Sequence, residues 1–128
     1  INSAKIFILL IPPPYGFGKF EAPLVHKVCG LYVFFHECLK LFPKQEKFSL
    51  GQKIENVILE IMESILIASC SSLRKNVYIR NASNKNDLLK YLIRLAYETK
   101  SINDKKYLLL EEKAIEIGKM IGGWIKSI

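Results

Sequence analysis

The chain has 128 residues, of which 50% are hydrophobic, and its 19 basic and 12 acidic side chains give a net charge of +7. This is the length of one domain, and the apolar content is enough for a core that needs neither disulfides nor a metal. The apolar run Ile6–Ile11 is far shorter than the roughly 20 residues that span a bilayer, so no transmembrane helix is expected. The positive charge favours polyanionic or acidic partners.

The first 22 residues are expected to form an extended N-terminal tail, to which we assign no function. Three prolines, Pro12–Pro14, follow the apolar run where the small residues of a signal-peptide cleavage site would belong, so a secretory signal is not expected. Cys29, Cys38 and Cys70 cannot all pair within one chain, and a reducing compartment accounts for them most simply. We therefore expect a cytoplasmic protein with one domain over residues 23–128.

The positive charge is concentrated in the third quarter of the chain. Residues 1–22 carry +1, 23–47 carry +2, 48–73 carry −2, 74–100 carry +5 and 101–128 carry +1. A basic partner is disfavoured by this segment, and a partner rich in phosphate or carboxylate groups is favoured.

Apolar residues recur at helical spacing in four stretches, and no segment has the period of two that a strand requires. In the first stretch they share one face, and Pro43 ends the pattern, which predicts a helix over about residues 23–41. In the second stretch Ser49 and Gln52 have the spacing of a capping box, which predicts that a helix begins there and runs to about Ser69–Ser72. Its core face is Ile54, Ile58, Ile61, Ile65 and Ala68.

The third stretch places Lys90 and Arg94, four residues apart, on its outward face. Its start stays open, because Asn81–Asn86 is rich in turn formers. The residues predicted to point inward are Leu88, Leu89, Leu92, Ile93 and Ala96. The fourth stretch follows Asn103, a good helix N-cap, and its stripe runs from Tyr107 to Ile128. Four such helices with short connections predict an all-α fold, an antiparallel up-and-down four-helix bundle.

Three motifs carry a resemblance to a known family. They are Phe42–Lys53 (FPKQEKFSLGQK), Leu88–Ala96 (LLKYLIRLA) and Glu116–Ser127 (EIGKMIGGWIKS). In order and spacing they resemble the hinge, the third-helix block and the C-terminal signature of the accessory variability determinant (Avd) proteins of diversity-generating retroelements. The last motif is the most specific, because two adjacent glycines inside a helix are costly.

The resemblance implies a fold, partners and an assembly. It implies a homopentamer of four-helix bundles that binds a retroelement reverse transcriptase and helps to copy template RNA into mutagenised cDNA. Four-helix proteins encoded in intervening sequences of 23S ribosomal RNA genes share the hinge proline. They typically carry a segment like NIAEG at the end of the second helix, where this chain has Ile67–Ser71 (IASCS), so the Avd family is favoured.

Basic residues around the third helix are the candidate nucleic-acid-binding surface, because phosphate binding needs several cations on one face. The candidates are Arg74, Lys75, Arg80, Lys85, Lys90, Arg94 and Lys100. The alternative is an ordinary solvated helix face. In the fourth helix Gly118 and Gly122 leave a smooth groove beside Trp124, which could be packing inside one bundle or a contact with a second copy or another partner.

Neither a metal site nor a catalytic site is expected. Cys29 and His36 lie two turns apart and Cys38 points elsewhere on the same helix, so four convergent ligands are missing. The paired carboxylates have no supporting nucleophile or histidine, and there is no glycine-rich phosphate loop. We therefore expect no cofactor, no small-molecule substrate and no enzymatic activity. The alternative to a nucleic-acid-binding subunit is a helical oligomeric scaffold that contacts only protein.

Overall fold

The computed structural model describes residues 20–128, and all regular structure within that range is helical. Four long helices are present: α1 Glu21–Leu39, α2 Gln52–Cys70, α3 Lys75–Glu98 and α4 Asp104–Ser127. Each packs against the next in the chain, and α1 also packs against α4 to close the ring. The predicted four-helix bundle is confirmed. Residues 1–19 of the predicted tail lie outside the described range, and α1 begins at Glu21 rather than at residue 23.

One continuous core runs along the inner faces of all four helices. In α3 the buried positions Ile79, Ala82, Asn86, Leu89 and Ile93 follow each other at three- and four-residue steps. Leu88 falls outside this series and is 39% exposed, so the prediction that it points inward is wrong. Within residues 20–128, no helix combines the length and the hydrophobicity that a membrane span requires.

In the hinge between α1 and α2, helical structure begins at Lys44, earlier than the predicted start at Ser49. A single α-helical turn, Lys44–Glu46, follows Pro43 and continues through a π-helical turn, Lys47–Gly51, into α2. The capping-box prediction is therefore wrong, because Ser49 lies inside a helical segment whose amides already have partners. The Ser49 hydroxyl donates to the Gln45 carbonyl at 3.1 Å, and the side-chain amide of Gln52 donates to the Asn56 side chain at 3.5 Å.

Gly51 allows this hinge to pack tightly. A Cβ at this position would overlap the Leu39 side chain and would lie 3.2 Å from the Phe42 ring and 3.3 Å from the Glu46 carbonyl oxygen. Phe42 is buried and meets Phe35 edge-on, with ring centroids 5.7 Å apart. The absence of a side chain therefore lets the end of α1 fold onto the start of α2.

Polar side chains join the helices halfway along the bundle. The Asn81 amide donates to the Ser64 hydroxyl of α2 at 2.8 Å, and the Asn86 amide donates to the Ala114 carbonyl of α4 at 2.9 Å. These bonds to other helices explain why a segment rich in turn formers is helical, since tertiary contacts outweigh weak local preference. We call this level the waist. It consists of Glu60, Ser64, Asn81, Lys85, Asn86, Ala114 and Gly118.

The connection between α3 and α4 is a tight turn with a capped helix on each side. Lys100 has a left-handed backbone (φ 59°), and the amides of Lys100 and Ser101 donate to the carbonyls of Tyr97 and Ala96 at 3.0 and 2.9 Å, which is the Schellman pattern. Asn103 caps α4 as predicted, because its side chain accepts the Lys106 amide at 2.9 Å. This turn and the hinge lie at one end of the bundle. We call that end, residues 40–48 and 98–106, the turn end.

Candidate nucleic-acid interface

The seven predicted cations are spread along α3 rather than gathered at one place. Arg74 precedes the helix and Lys100 follows it, so about 36 Å of helix separates the two. Lys85 turns toward α2, whereas Lys90 and Arg94 line a groove on the α4 side. The sequence prediction that Lys90 and Arg94 face outward is confirmed, since Arg94 is exposed and Lys90 is half-buried.

Three of the predicted cations are paired with carboxylates. Lys85 Nζ lies 3.1 Å from Glu60 Oε2 in the waist, Lys90 Nζ lies 3.4 Å from Asp87 Oδ1, and Arg94 Nε lies 2.7 Å from Glu98 Oε1. A carboxylate at this distance compensates much of the field that a phosphate would experience. These three side chains therefore contribute less attraction for a polyanion than their number suggests.

The other four predicted cations have no carboxylate within 4.0 Å among residues 20–128. Lys75 Nζ lies 5.9 Å from the centre of the Trp124 ring, in the range of a cation–π contact, and Arg80 Nε donates to the Asn76 side chain at 2.9 Å. Arg74 and Lys100 have no side-chain partner within the described part of the chain. These four residues are therefore expected to attract a phosphate more strongly than the three paired ones.

A groove of about 370 Å³ lies where α3 meets the first turns of α4. It is lined by Asp87, Lys90, Tyr91, Arg94, Tyr107 and Glu111. The hydrogen bond to Glu98, and after it the bond to Tyr107, raise the pKa of Arg94 above its ordinary value. The guanidinium is therefore held as a cation between Glu98 and Tyr107.

Two stacked tyrosines separate this groove from the turn end. The rings of Tyr97 and Tyr107 lie 4.5 Å apart, and the Tyr97 hydroxyl donates to Asp104 at 2.7 Å. This hydrogen bond, together with the charge of the Asp104 carboxylate, raises the pKa of Tyr97. Asp104 is thereby engaged by a neutral donor, and Glu98 by Arg94, so both carboxylates of this region already have partners.

Sequence analysis missed a second group of cations, at the turn end. Lys106 lies close enough to α1 to lower the pKa of Cys38, against the larger effect of burial, and it shares a wide groove with Leu41, Lys100 and Lys105. Lys44 and Lys47 lie at the start of the hinge helix. The available signal was the position of these lysines beside Pro43 and Asn103, because an up-and-down bundle brings its first and third connections to the same end.

The predicted interface residues of α4 have different surroundings. Trp124 is only 3% exposed and packs in the core of this bundle, as its place in the apolar stripe predicted, whereas its contact with a second copy or another partner stays a prediction. A Cβ on Gly118 would lie 3.0 Å from the Asn86 amide nitrogen, which shows that its small size serves the contact between α3 and α4. A Cβ on Gly122 would meet nothing within 4 Å. Of the three, only Gly122 leaves open space for a partner.

The cysteines and histidines do not form a site. Cys29, Cys38 and Cys70 are free thiols, and burial raises the pKa of both Cys29 and Cys38. His36 Nδ1 faces Glu55 at 3.6 Å on the surface between α1 and α2. Across residues 20–128, no group of three or more His, Cys, Asp or Glu side chains is placed to hold a metal ion.

Comparison with known proteins gives one match. A family model described as bAvd-like matches residues 24–128, a range that covers α2, α3, α4 and all of α1 except its first three residues. No curated protein matches the chain, and no solved structure matches it. The matched range contains all three motifs from which the sequence analysis inferred a resemblance to the Avd proteins.

Proposed function

The chain belongs to the bAvd-like family, and from this premise we propose that it is a non-catalytic accessory subunit of a diversity-generating retroelement. In this role it binds the reverse transcriptase of the element and the template RNA or its cDNA, and so supports mutagenic reverse transcription. The basic surface supplies attraction for the phosphate backbone and requires no catalytic group of its own.

The observation that carries the nucleic-acid part is the set of cations on α3 that lack a carboxylate partner in the described structure. Arg74, Arg80 and Lys100 can each release a counterion when they contact a phosphate, whereas Lys85, Lys90 and Arg94 first have to leave Glu60, Asp87 and Glu98. Binding of this kind depends steeply on salt and weakly on base sequence. A subunit that handles a template of variable sequence needs that behaviour.

The outward face of α3 supports contact with protein. Val77, Leu88, Tyr91 and Leu95 are all exposed, and together with Asn84 they follow the alternating spacing by which two helices pack along a seam. We call these four apolar residues the outer stripe. Apolar side chains in such a row are unusual on a surface without a partner. We propose that a second copy of the chain covers the outer stripe in a homo-oligomer, of which the pentamer of the family is the expected form.

A pair of triple variants tests the nucleic-acid part. In the first, Arg74, Arg80 and Lys100 are replaced by Gln; in the second, Lys85, Lys90 and Arg94 are replaced by Gln. Both remove three positive charges from α3 and the residues that flank it. We expect the first variant to lower affinity for the template RNA more than the second, and to reduce the slope of log affinity against log salt by roughly 0.7 for each lost phosphate contact.

The outer stripe also supports a second candidate function, a scaffold that contacts only protein. Competition separates the two candidates. If the subunit binds nucleic acid, unlabelled RNA displaces a labelled template RNA from it. If the subunit is a scaffold that contacts only protein, added RNA leaves its binding to the reverse transcriptase unchanged. Wild-type protein that binds no RNA at low salt would rule out the nucleic-acid part.

The double variant Leu88→Glu with Leu95→Glu tests the oligomer. It places two charges in the outer stripe and should dissociate the oligomer, as measured by light scattering.

A further inference from the structure

The turn end carries large apolar side chains that the core does not use. Phe48 is 71% exposed on the hinge helix, and Leu41 is 69% exposed just after α1. The neighbouring Phe42 is buried and already fills the core at this end of the bundle. Exposing an aromatic ring to water contributes nothing to folding. These two side chains are therefore available to a ligand.

Several lysines lie at the same end of the bundle as these side chains. Lys40 is paired with Glu37 at 3.2 Å, whereas Lys44, Lys47, Lys105 and Lys106 have no carboxylate within 4.0 Å in the described range. Lys44 lies one helical turn from Phe48, and Lys105 and Lys106 begin α4 across the bundle end. The nearby carboxylates Glu98 and Asp104 are held by Arg94 and Tyr97. Glu46 lies between Lys44 and Lys47 on the hinge helix but forms no ion pair with either in the described structure. An incoming phosphate therefore meets ammonium groups that are not directly paired with a carboxylate.

A groove of about 890 Å³ crosses the same end of the molecule. It is lined by Leu41, Tyr97, Glu98, Lys100, Ser101, Ile102, Asn103, Asp104, Lys105 and Lys106. Leu41 provides an apolar wall, and Lys100, Lys105 and Lys106 provide the cations. Phe48 lies outside this groove, on the hinge helix at the same end of the bundle, so a strand that contacts both has to cross between neighbouring helices, which lie about 8–10 Å apart.

Lys100 gives a separate indication. It occupies the left-handed position of the Schellman turn, where glycine is the usual residue because a Cβ is disfavoured there. A long cationic side chain at this position costs stability without gaining a partner in the described structure. Backbone strain of this kind is typical of residues retained for binding.

We propose that the turn end binds single-stranded nucleic acid. The lysines contact backbone phosphates, while Phe48 and Leu41 contact the faces of unstacked bases. A duplex hides its base faces inside the stack, so only a single strand can use the exposed ring. This inference rests on the proposed function and adds the class of strand and the place where it binds.

An acidic protein segment is the competing occupant, and the structure favours it less. A partner helix needs apolar residues in a continuous row, which α3 offers in the outer stripe. At the turn end, by contrast, Leu41 and Phe48 lie on different segments with Pro43 between them. Separate apolar contacts among cations suit a flexible strand whose bases can turn independently.

The test measures binding of labelled oligouridine and of a labelled RNA duplex of the same length, by fluorescence anisotropy at low salt. Wild-type protein should prefer the single strand. Phe48→Ala should weaken oligouridine binding about fivefold to a hundredfold, the range produced by losing one stacked base, and should change duplex binding less than about twofold. Leu41→Ala should act in the same direction.

Leu73→Ala is the matched control, because Leu73 is 94% exposed in the connection at the opposite end of the bundle. It should leave both affinities unchanged. All three side chains lie outside the core, and circular dichroism checks that each variant keeps its helices. If Leu73→Ala weakened oligouridine binding as much as Phe48→Ala, the turn end would not be the site.

The remaining outcomes separate this inference from the proposed function. If wild-type protein binds both probes equally and Phe48→Ala changes neither, the nucleic-acid function stands and single-strand recognition at the turn end is overturned. If wild-type protein binds neither probe, the nucleic-acid function and single-strand recognition at the turn end are both overturned. If polyglutamate displaces oligouridine and no strand preference exists, the turn end is a site for acidic protein instead.

Discussion

Polar side chains serve different purposes in the waist and at the turn end. In the waist, Asn81, Lys85 and Asn86 each bond to a residue on another helix. At the turn end, Lys44 and Lys105 have no such partner within the described chain, and the apolar side chain of Phe48 is exposed. The waist thus uses its polar groups within the bundle, whereas the turn end leaves several lysines and the Phe48 ring available to other molecules.

The waist and the turn end differ in how much a small shift of the helices would destabilise the fold. Sliding α3 by one residue against its neighbours would bury the Asn86 amide without the Ala114 carbonyl, and an unsatisfied buried donor costs about 1–3 kcal/mol. The same shift would change little at the turn end, where water already solvates the lysines. We therefore expect mutations in the waist to alter stability and mutations at the turn end to alter binding.

The strongest test of this difference places a charge in the waist. Asn86→Asp would bury a carboxylate against the Ala114 carbonyl oxygen, with no donor left between them. We expect the free energy of unfolding to fall by about 3 kcal/mol at pH 7, because a buried charge without a partner is strongly disfavoured. Asn56→Asp, at an exposed position of α2, is the control and should change stability by less than about 0.5 kcal/mol.

The same variant should become more stable as the pH falls. Burial raises the pKa of the new carboxyl above the roughly 3.9 of an unfolded aspartate. Between these two values the native state holds a proton that the unfolded state lacks, so stability rises with decreasing pH until about pH 4. The protonated acid can donate to the Ala114 carbonyl as the amide does. Urea unfolding at pH 7 and pH 5 measures the change, and equal stability at both would contradict the assigned contact.

Sequence analysis could predict the waist only in part. The apolar stripes of the four helices and the cap at Asn103 follow from spacing and local hydrogen bonding, and both were confirmed except at Leu88 and Ile128, which are exposed. The start of α3 did not follow, because the contacts of Asn81 and Asn86 involve residues 17 and 28 positions away. Local patterns carry no information about such partners.

Gly118 and Gly122 of α4 allow a second test, with a smaller expected effect on stability. Gly118→Leu would force atoms into the contact with Asn86, and we expect a loss of about 1–2 kcal/mol, since overpacking outweighs the better helix propensity of leucine. A Cβ on Gly122 meets nothing within 4 Å, so Gly122→Ala should gain about 0.5 kcal/mol from propensity. Urea midpoints of the two variants measure the difference. A loss of similar size in both would mean that a copy of the chain, rather than Asn86, limits the space.

The candidate site was predicted less well than the fold. The third quarter of the chain has the largest formal charge, but three of its seven cations are neutralised by Glu60, Asp87 and Glu98. Two of these partners lie three or four residues away and could have been read from helical spacing. The third, Glu60, lies on another helix. The net charge of residues 74–100 already counts Asp87 and Glu98 but not Glu60, and it gave no indication of the lysines beside the helix ends.

Lys100 combines a small expected change in stability with a direct contrast between folding and binding. Lys100→Gly removes the Cβ from a left-handed position, and we expect a gain of about 0.5–1 kcal/mol in the free energy of unfolding. The same substitution removes a cation from the turn-end groove, so affinity for oligouridine should fall and its salt dependence should weaken.

Opposite signs in these two measurements would be hard to obtain from a residue with only a structural role. A purely structural Lys100 would give a more stable protein with unchanged affinity, because the exposed ammonium group has no partner in the described chain. Lys100→Asn separates the two effects further, since asparagine tolerates the left-handed region but carries no charge. It should recover part of the stability gain while binding as weakly as Lys100→Gly. Binding restored by asparagine would mean that backbone shape, and not the lysine charge, limits the interaction.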